Sequence, residues 1–447
     1  MLKIIYTIFY CFIFIFILYC YYINMSFYSD SNVSTRYSDP KIYTENSRCT
    51  YELDSNEAAY LPNLRLLFVG LTTSGATDYN RLLGSLALIK NARLLDGKTV
   101  LCAANENQFY QGFRNVNTTN ERNQSVDSSQ VCSGLGFTVD GETRTVARIA
   151  KKLQANLNVP AAAGTPAGNP TNSAVLDLRH IFPMLNSVSH LPTAVFRNLR
   201  IEIEFDAAQT SQILMDTNNP ITTLRPVLAA DVIENPALVD SLNAKLTNAS
   251  WLEIEHDLFV IPAGVATAAN QGNRQNVNVK INGFNNKHIE RLLIVKEIQD
   301  AAKELTGGNA VQGLGGRFSS QCCFRQNVQF RVNGGNLLPR NGMVGNNERL
   351  AYIVDTYGDC SAYIGSNQYG GSNVAELTDA RALLGQLDYI GAYIGQPISD
   401  LQINYSRVAL EDATPKSPTT DALNAHCYAE IRKAIIVGKG SYTIQYM

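Results

Sequence analysis

Asn198-Leu199-Arg200-Ile201-Glu202-Ile203-Glu204-Phe205-Asp206 alternates apolar residues at odd positions with polar or charged ones at even positions. Successive side chains of a β-strand point to opposite faces, so this period of two puts one face in a core and the other in water. A strand of that kind belongs to an antiparallel sheet covered on one side. The pattern recurs in both directions along the chain. Val277, Val279 and Ile281 are the apolar set of Asn276 to Asn282, and Val328, Phe330 and Val332 that of Asn327 to Asn333. Leu401, Ile403 and Tyr405 alternate with Gln402, Asn404 and Ser406, and a further strand opens at Trp251-Leu252-Glu253-Ile254-Glu255.

Dipeptides that tolerate positive φ separate these runs and are expected to close hairpins: Asp96-Gly97, Asp140-Gly141, Asn282-Gly283, Asn333-Gly334-Gly335 and Asn341-Gly342. Helical spacing is local. Val146, Ile149, Ala150, Leu153 and Leu157 fit one helix face, Ile298 to Leu305 is a short stretch stopped by Gly307-Gly308, and a third helix is expected at Ala375 to Leu387. These helices do not alternate regularly with strands, so they are inserts and not βαβ crossovers. Pro160 to Pro170 is small, Pro-rich and aperiodic, and Ala207 to Asn248 carries Pro220, Pro226 and Pro236. The second stretch is the expected boundary between two tandem β domains.

The 447 residues suffice for two large domains, and 37 Lys+Arg against 39 Asp+Glu give a net charge of −2. Near neutrality excludes a polyanion-binding basic protein and an acidic tail protein. Charged residues are 17% and hydrophobic ones 45%, a mixture that suits a β-rich protein with neutral polar loops. Residues 1–24 stand apart: Leu2 to Ile23 is almost wholly apolar or Tyr, and at about 1.5 Å per residue a helix there reaches across a bilayer core. No small-x-small cleavage site precedes Asn24, so a cleavable signal is not expected. The segment ends at Met25, where a polar, Ser-rich stretch begins, and it is either a membrane anchor or an upstream in-frame extension.

Two of the nine cysteines, Cys11 and Cys20, lie in that segment, leaving Cys49, Cys102, Cys132, Cys322, Cys323, Cys360 and Cys427. An odd, unevenly spaced set is no disulfide framework and suits a reducing compartment. Sequons start at Asn32, Asn117, Asn123, Asn248 and Asn404, a number that an Asn-rich chain reaches by chance.

Catalytic signatures are missing. Ala92-Arg-Leu-Leu-Asp-Gly97-Lys98-Thr99 lacks the first glycine of a phosphate-cradling loop and reads as strand, turn and strand. Gly313-Leu314-Gly315-Gly316 lacks the dinucleotide-binding spacing and reads as a loop. The histidines His180, His190, His256, His288 and His426 form no H-E-x-x-H, and no C-x-x-C occurs, so no metal ligand set is assigned. Adjacent Cys322 and Cys323 point to opposite strand faces more readily than to one metal. Glu202, Glu204 and Asp206, like Glu253 and Glu255, are expected on the solvated side of their strands and not as acid/base pairs. No G-x-S-x-G elbow marks a nucleophile, and basic residues are not interleaved with aromatics as in a nucleic-acid groove. No catalytic, cofactor-binding or metal residue is therefore assigned, and no cofactor or specific nucleic-acid partner is expected.

Several segments resemble the double jelly-roll major capsid proteins of tailless double-stranded DNA viruses, the hexon-like group that includes virophages and polinton-type elements. Tyr79 to Lys98 looks like an early strand pair of the first jelly roll, and Leu191 to Phe205 like the strand that closes it. His288 to Val295 and Val328 to Pro339 look like the matching strands of a second roll. The resemblance spans roughly residues 60 to 446, and its specificity lies in the order and tandem repetition of the segments. It departs from the family at the apolar N-terminus and in a compact chain.

The resemblance implies an all-β fold of two tandem antiparallel jelly-roll sandwiches with short helical inserts. The expected division is a hydrophobic segment 1–24, an N-terminal arm 25–60, a first jelly roll 61–206, a linker 207–248 and a second jelly roll 249–447. It implies no enzyme but a structural protein of the virion: a homotrimer with a pseudo-hexagonal outline, tiling an icosahedral shell through capsomer contacts. The further partners it implies are a minor capsid or penton protein and an internal membrane. Two rival expectations follow from other features. One is a membrane-anchored β-sandwich surface glycoprotein, using Leu2 to Ile23 and the sequons. The other is a carbohydrate-active β-sandwich enzyme, for which Trp251 is the single tryptophan available as a stacking platform.

Overall fold

The computed structural model describes residues 32–45, 47–53, 58–69, 72–73, 89–106, 110, 173–205, 221–223, 226–261, 274–298, 326–343, 346–357, 390–408, 423–438 and 440–447. In chain order the first half supplies β1 (Val33–Ser38), β2 (Ile42–Thr44), β3 (Arg48–Glu52), β4 (Ala59–Tyr60), β5 (Arg65–Val69), β6 (Thr72–Thr73), β7 (Ile89–Asp96), β8 (Thr99–Ala104), β9 (Ser173–Asp177), β10 (Leu191–Pro192), β11 (Leu199–Phe205), β12 (Ile221–Thr223) and β13 (Pro226–Ile233). Helix α1 (Pro236–Ala244) follows. The second half supplies β14 (Ala249–Ile261), β15 (Arg274–Ile281), β16 (Lys287–Ile298), β17 (Gln326–Val332), β18 (Gly335–Met343), helix α2 (Asn346–Tyr357), β19 (Ile390–Ile398), β20 (Leu401–Val408), β21 (Leu423–Gly438) and β22 (Ser441–Tyr446).

The two halves share one strand order. In the first half, β13 lies between β1 and β5, and β9 flanks β5, while β3, β11, β7 and β8 form a second sheet in that order. In the second half the sheets run β14-β21-β16-β19 and β15-β20-β17-β18. Numbering the strands of five or more residues in each half from 1 to 8, and leaving β22 aside, both halves read 1-8-3-6 and 2-7-4-5. Two antiparallel sheets with that interleaving form a jelly roll, and its repetition makes the chain two tandem jelly-roll sandwiches.

Alternation builds each core. Leu199, Ile201, Ile203 and Phe205 of β11 enter the first core with Leu94, Leu101 and Leu228, and Val328, Phe330, Val332, Leu401, Ile403 and Tyr405 enter the second. Each large apolar side chain so buried contributes about 1.5–3 kcal/mol relative to exposure. On the wet side of β11, Arg200 is opposite Glu52, Glu202 opposite Arg93 and Glu204 opposite Arg48, so neighbouring strands carry opposite charges.

The turn chemistry holds at two sites and differs at two. Asp96-Gly97 closes the β7–β8 hairpin, with Gly97 at φ +58°. Asn333-Gly334 closes β17–β18 with φ of 51° and 77°, the pair of positive values that suits the twist of a two-residue hairpin. Asn282-Gly283 closes no hairpin, because β15 and β16 belong to different sheets and the chain crosses the sandwich there. Asn341-Gly342 lies inside β18, beside a register shift opposite Val328 and Phe330. Expected features at 1–24, 140–141, 146–157, 160–170, 298–308, 313–316, 322–323 and 375–387 lie wholly or mostly outside the described residues.

Two expected boundaries differ from the structure. The expected arm 25–60 contains β1 and β3, members of the first half's sheets, and the expected linker 207–248 contains β13, the strand on which β1 and β5 both pair. Pro226 reads as a loop signal, but it sits at the first residue of β13, a place a strand tolerates. Nor does the first core end with the first half. Trp251 and Ile435 belong to it, with Val437, Tyr442 and Ile444 packed against it. The β21–β22 hairpin, formed by the last residues of the chain, thus covers the core made by the first.

Candidate functional site: the seam between the two halves

Among the described residues, the buried Glu253, Glu430, Lys433 and His426 gather where the halves meet, while Asp177 and His190 are buried within the first half. β14 starts there with Trp251 and Glu253, β21 runs antiparallel beside it with Lys433 opposite Trp251, and β8 supplies Leu101, Cys102 and Ala103. Glu253 accepts from Trp251 Nε1 at 2.6 Å, Ala103 N at 2.7 Å and Cys102 Sγ at 3.1 Å. Lys433 Nζ lies 3.6 Å from the same carboxylate and donates to Leu101 O at 3.1 Å. Its ammonium also stands 5.9 Å from the centre of the Trp251 ring. Both charged side chains are buried, at 6% and 3% exposure. Burial first, and then the neighbouring Glu253, hold the Cys102 thiol well above its ordinary pKa, so it stays a donor and not a nucleophile.

A second cluster lies on the opposite face of β21, where Tyr110 of the first half reaches it. Arg291 of β16 is opposite Glu430 of β21, its Nε donating to Oε2 at 2.7 Å and its outer nitrogen 2.5 Å from the same oxygen. Tyr110, from the first half, donates to Oε1 at 2.6 Å. Tyr357 of α2 lies 5.0 Å beneath the guanidinium. Burial works against the Arg291 charge, but Glu430 outweighs it and the pKa rises. Farther along, His256 Nε2 and His426 Nδ1 are 3.0 Å apart with rings stacked at 5.2 Å, and Tyr428 donates to Glu106 O of the first half. Burial, and then His426, push the His256 pKa down to about 3, so one ring nitrogen donates and the other accepts. The third contact is Tyr442 of β22, which donates to Asp96 at 2.9 Å and packs on Phe196 at 5.0 Å.

This arrangement can hold two sandwiches at one register. Its charged groups pair within the second half, and Leu101, Cys102, Ala103, Glu106 and Tyr110 of the first half complete their hydrogen bonds. Among the described residues no group of three His, Cys, Asp or Glu is placed to hold a metal. Cys49, Cys102 and Cys427 are free and buried.

The sequence misplaced one carboxylate and missed the clusters. Glu253 is expected on a solvated face; it is buried, because it lies on the core side of β14 with Trp251, Phe259 and Ile261, where β8 covers it. Glu255 pairs with Lys287. Glu52, Glu202 and Glu204 lie with Arg48, Arg93 and Arg200 around an open depression of about 260 Å³ on the outer face of the first half's second sheet, a charge-balanced surface. Trp251 is buried and is no platform for a sugar ring. His256 and His426 meet although 170 positions apart, a juxtaposition that only the β14–β21 register produces. Of the sequon residues, Asn404 sits in mid-strand between β15 and β17, with a buried Oδ1, a poor place for a glycan.

No family model and no curated protein sequence matches the chain. Solved structures do. The chain is similar to VP54 of PBCV-1, fitted into a reconstruction of the virophage Sputnik, with 10% identity, a TM-score of 0.52, and coverage of 93% of this chain and 97% of that one. It is similar to the mavirus major capsid protein at 8% identity and TM-score 0.52, over 93% and 90% of the two chains. The cryo-EM structure of the Sputnik virophage matches at 10% identity and TM-score 0.50, over 93% and 88%. At these identities the likeness is one of fold, and it takes in both sandwiches.

Proposed function

We propose that this chain is a structural major capsid protein, whose copies build the shell of a virus particle. The observation that carries the reading is the pair of sandwiches with one strand order, 1-8-3-6 and 2-7-4-5, joined through a buried seam and similar along nearly its whole length to the mavirus major capsid protein. Its activity then lies in surfaces, with no catalytic centre or cofactor assigned. Three copies give six sandwiches in a pseudo-hexagonal ring, and such rings tile an icosahedral shell. A net charge of −2 permits dense self-packing, and neutral polar loops suit the rims of many interfaces. A minor capsid or penton protein and a membrane beneath the shell are the further partners this role calls for, and the virion is its location. The test is the mass of the purified protein by light scattering, with negative-stain images. A trimer with a hexagonal outline is expected, and a monomer persisting at micromolar concentration overturns the reading.

A further inference from the structure

Two residues of the first half dock on the outer face of β21, and both touch Tyr428. Tyr428 donates to the backbone oxygen of Glu106, and the Tyr110 ring packs on it at 5.6 Å while donating to Glu430. Glu106 is held for that contact. Its backbone is left-handed at φ 45°, its N–H donates to Asn91 Oδ1 at 3.1 Å, and its carboxylate lies 3.5 Å from Lys90 Nζ. A left-handed residue other than glycine costs about 1–3 kcal/mol and persists only where its surroundings hold it. Tyr428 also touches the histidine pair. His256 stands opposite Tyr428 across the β14–β21 ladder with ring centroids 5.0 Å apart, and His426 lies two residues along β21, at 6.5 Å. One N–H···N bond of 3.0 Å joins the two imidazoles, and it exists only while one of the facing nitrogens lacks a proton. His426 is buried and His256 half-buried.

We infer that the stacked histidines are an acid-operated latch: while neutral they hold Tyr428 where it receives Glu106 and Tyr110, and when protonated they release that contact. Protonating both leaves two N–H groups facing each other at 3.0 Å and two positive charges on rings 5.2 Å apart. Such rings separate and take up water. Tyr428 then loses the surface it packs on, and its hydroxyl loses the position from which it reaches Glu106. The surrounding charges are committed elsewhere. Glu430 is tied to Arg291 of β16, on which Tyr357 of α2 also lies, and Glu106 is tied to Lys90. On β16, Leu293 is opposite Tyr428 and Val295 opposite His426, with Glu297 two residues farther on, opposite Asn424. On β14, Glu255 and Asp257 alternate to the other face, where Glu255 pairs with Lys287 and Asp257 accepts from Gly283 N. Burial, and then His426, disfavour the charged form of His256, whose pKa falls from 6.5 to about 3. Unlatching returns that ring to water and takes up one proton, so the open state gains up to tenfold over the closed one for each pH unit between 6.5 and 3. The latch is therefore at full strength above pH 6.5 and weakens as pH falls toward 3. The contacts of Glu253 with Cys102 and Ala103, and of Lys433 with Leu101 O, lie on the core side and are not part of it.

The experiment is hydrogen exchange of the full-length protein followed by mass spectrometry, with the parent beside His256→Gln at the same pH so that the chemical rate of exchange cancels. Glutamine keeps a donor and an acceptor and does not titrate. At about pH 7.5 equal exchange is expected over residues 105–110, and at about pH 4.5 the parent is expected to exchange there at least tenfold faster than the variant. Trp251, the single tryptophan of the chain, is buried on the core side, so its emission is expected to stay unchanged. Equal exchange in parent and variant at about pH 4.5 overturns the inference. A Trp251 emission that shifts in step with the exchange also overturns it, because the whole seam then opens. If His256→Gln does not fold, His426→Gln takes its place. A parent whose exchange over 105–110, corrected for the chemical rate, is the same at both pH values decides against the latch without any variant. The contact lies within one chain, so a failed latch leaves the shell reading standing, and a monomeric protein leaves the latch standing.

Discussion

Arg291 and Glu430 of the second half lie between Tyr110 and Tyr357, while Arg65 and Asp231 carry the same charges on the corresponding strands of the first half and reach the surface. One fold places the two pairs alike, and their surroundings differ. An exposed pair is screened by water and contributes about 0–1 kcal/mol. A buried pair has been taken out of water, and removing one partner strands the other, at about 3–5 kcal/mol. The covered face is therefore the fragile one, and the open face is free to evolve toward binding.

The largest expected effect is at Glu253, which has four partners across or along the seam. Glu253→Leu leaves the Lys433 ammonium buried with a backbone carbonyl, and about 3–5 kcal/mol of stability is expected to be lost. One residue before the acid-paired position on β1, the matching residue is Ser34, which is exposed; Ser34→Leu is expected to change stability by less than about 0.5 kcal/mol. Urea midpoints measure both. Equal losses would mean that burial by β8 does not make Glu253 the more costly site, and the double variant Glu253→Leu with Lys433→Met should recover much of the loss, because no buried charge then stands alone.

A direct contrast comes next. Arg291→Met is expected to cost about 3 kcal/mol, the low end of the buried range because the side chain is 26% exposed. Arg65→Met, on the open face, is expected to cost about 1–2 kcal/mol, less than at Arg291 because Thr35 and Asn63 still donate to Asp231. Chemical denaturation of the two variants side by side is the measurement, and a larger loss at Arg65 would reverse the assignment of the faces.

Much of the fold was legible because its signal is local. Leu199 to Phe205 shows its buried face by alternation, and Asp96-Gly97 and Asn333-Gly334 show their hairpins because positive φ is a property of the residues themselves. β13 was hidden by Pro226 and by Ala229-Ala230, which give a weak pattern; its identity as a central strand comes from partners at residues 33–38 and 65–68. The seam was not legible. Glu253 looks the same in sequence whether its strand faces water or the other sandwich, and only the approach of β8 makes it buried. Nor does the sequence place His426 beside His256, because the 13-residue pairing of β14 with β21 sets that register from the two ends of the second half.

The last contrast is a pH dependence confined to the covered face. Two residues past the acid-paired position, β14 carries His256 where β1 carries Tyr37. Burial, then His426, lower the His256 pKa from 6.5 to about 3. The folded protein thus keeps this ring neutral in a range where the unfolded chain binds a proton. A depressed pKa stabilises fully above the unfolded value, so the contribution is complete above pH 6.5 and is lost as pH falls toward 3. His256→Tyr writes the open face's residue into the covered one and removes this titration, since a phenol ordinarily ionises near 10. Carboxylates titrate in both proteins, so the difference between their melting temperatures isolates the histidine. The parent should lose stability more steeply than the variant between pH 6.5 and pH 3, with parallel curves above pH 6.5. Parallel curves over the whole range would mean that acid reaches the seam by another route, with the Arg291–Glu430 pair, and not the stacked histidines, as the group to test.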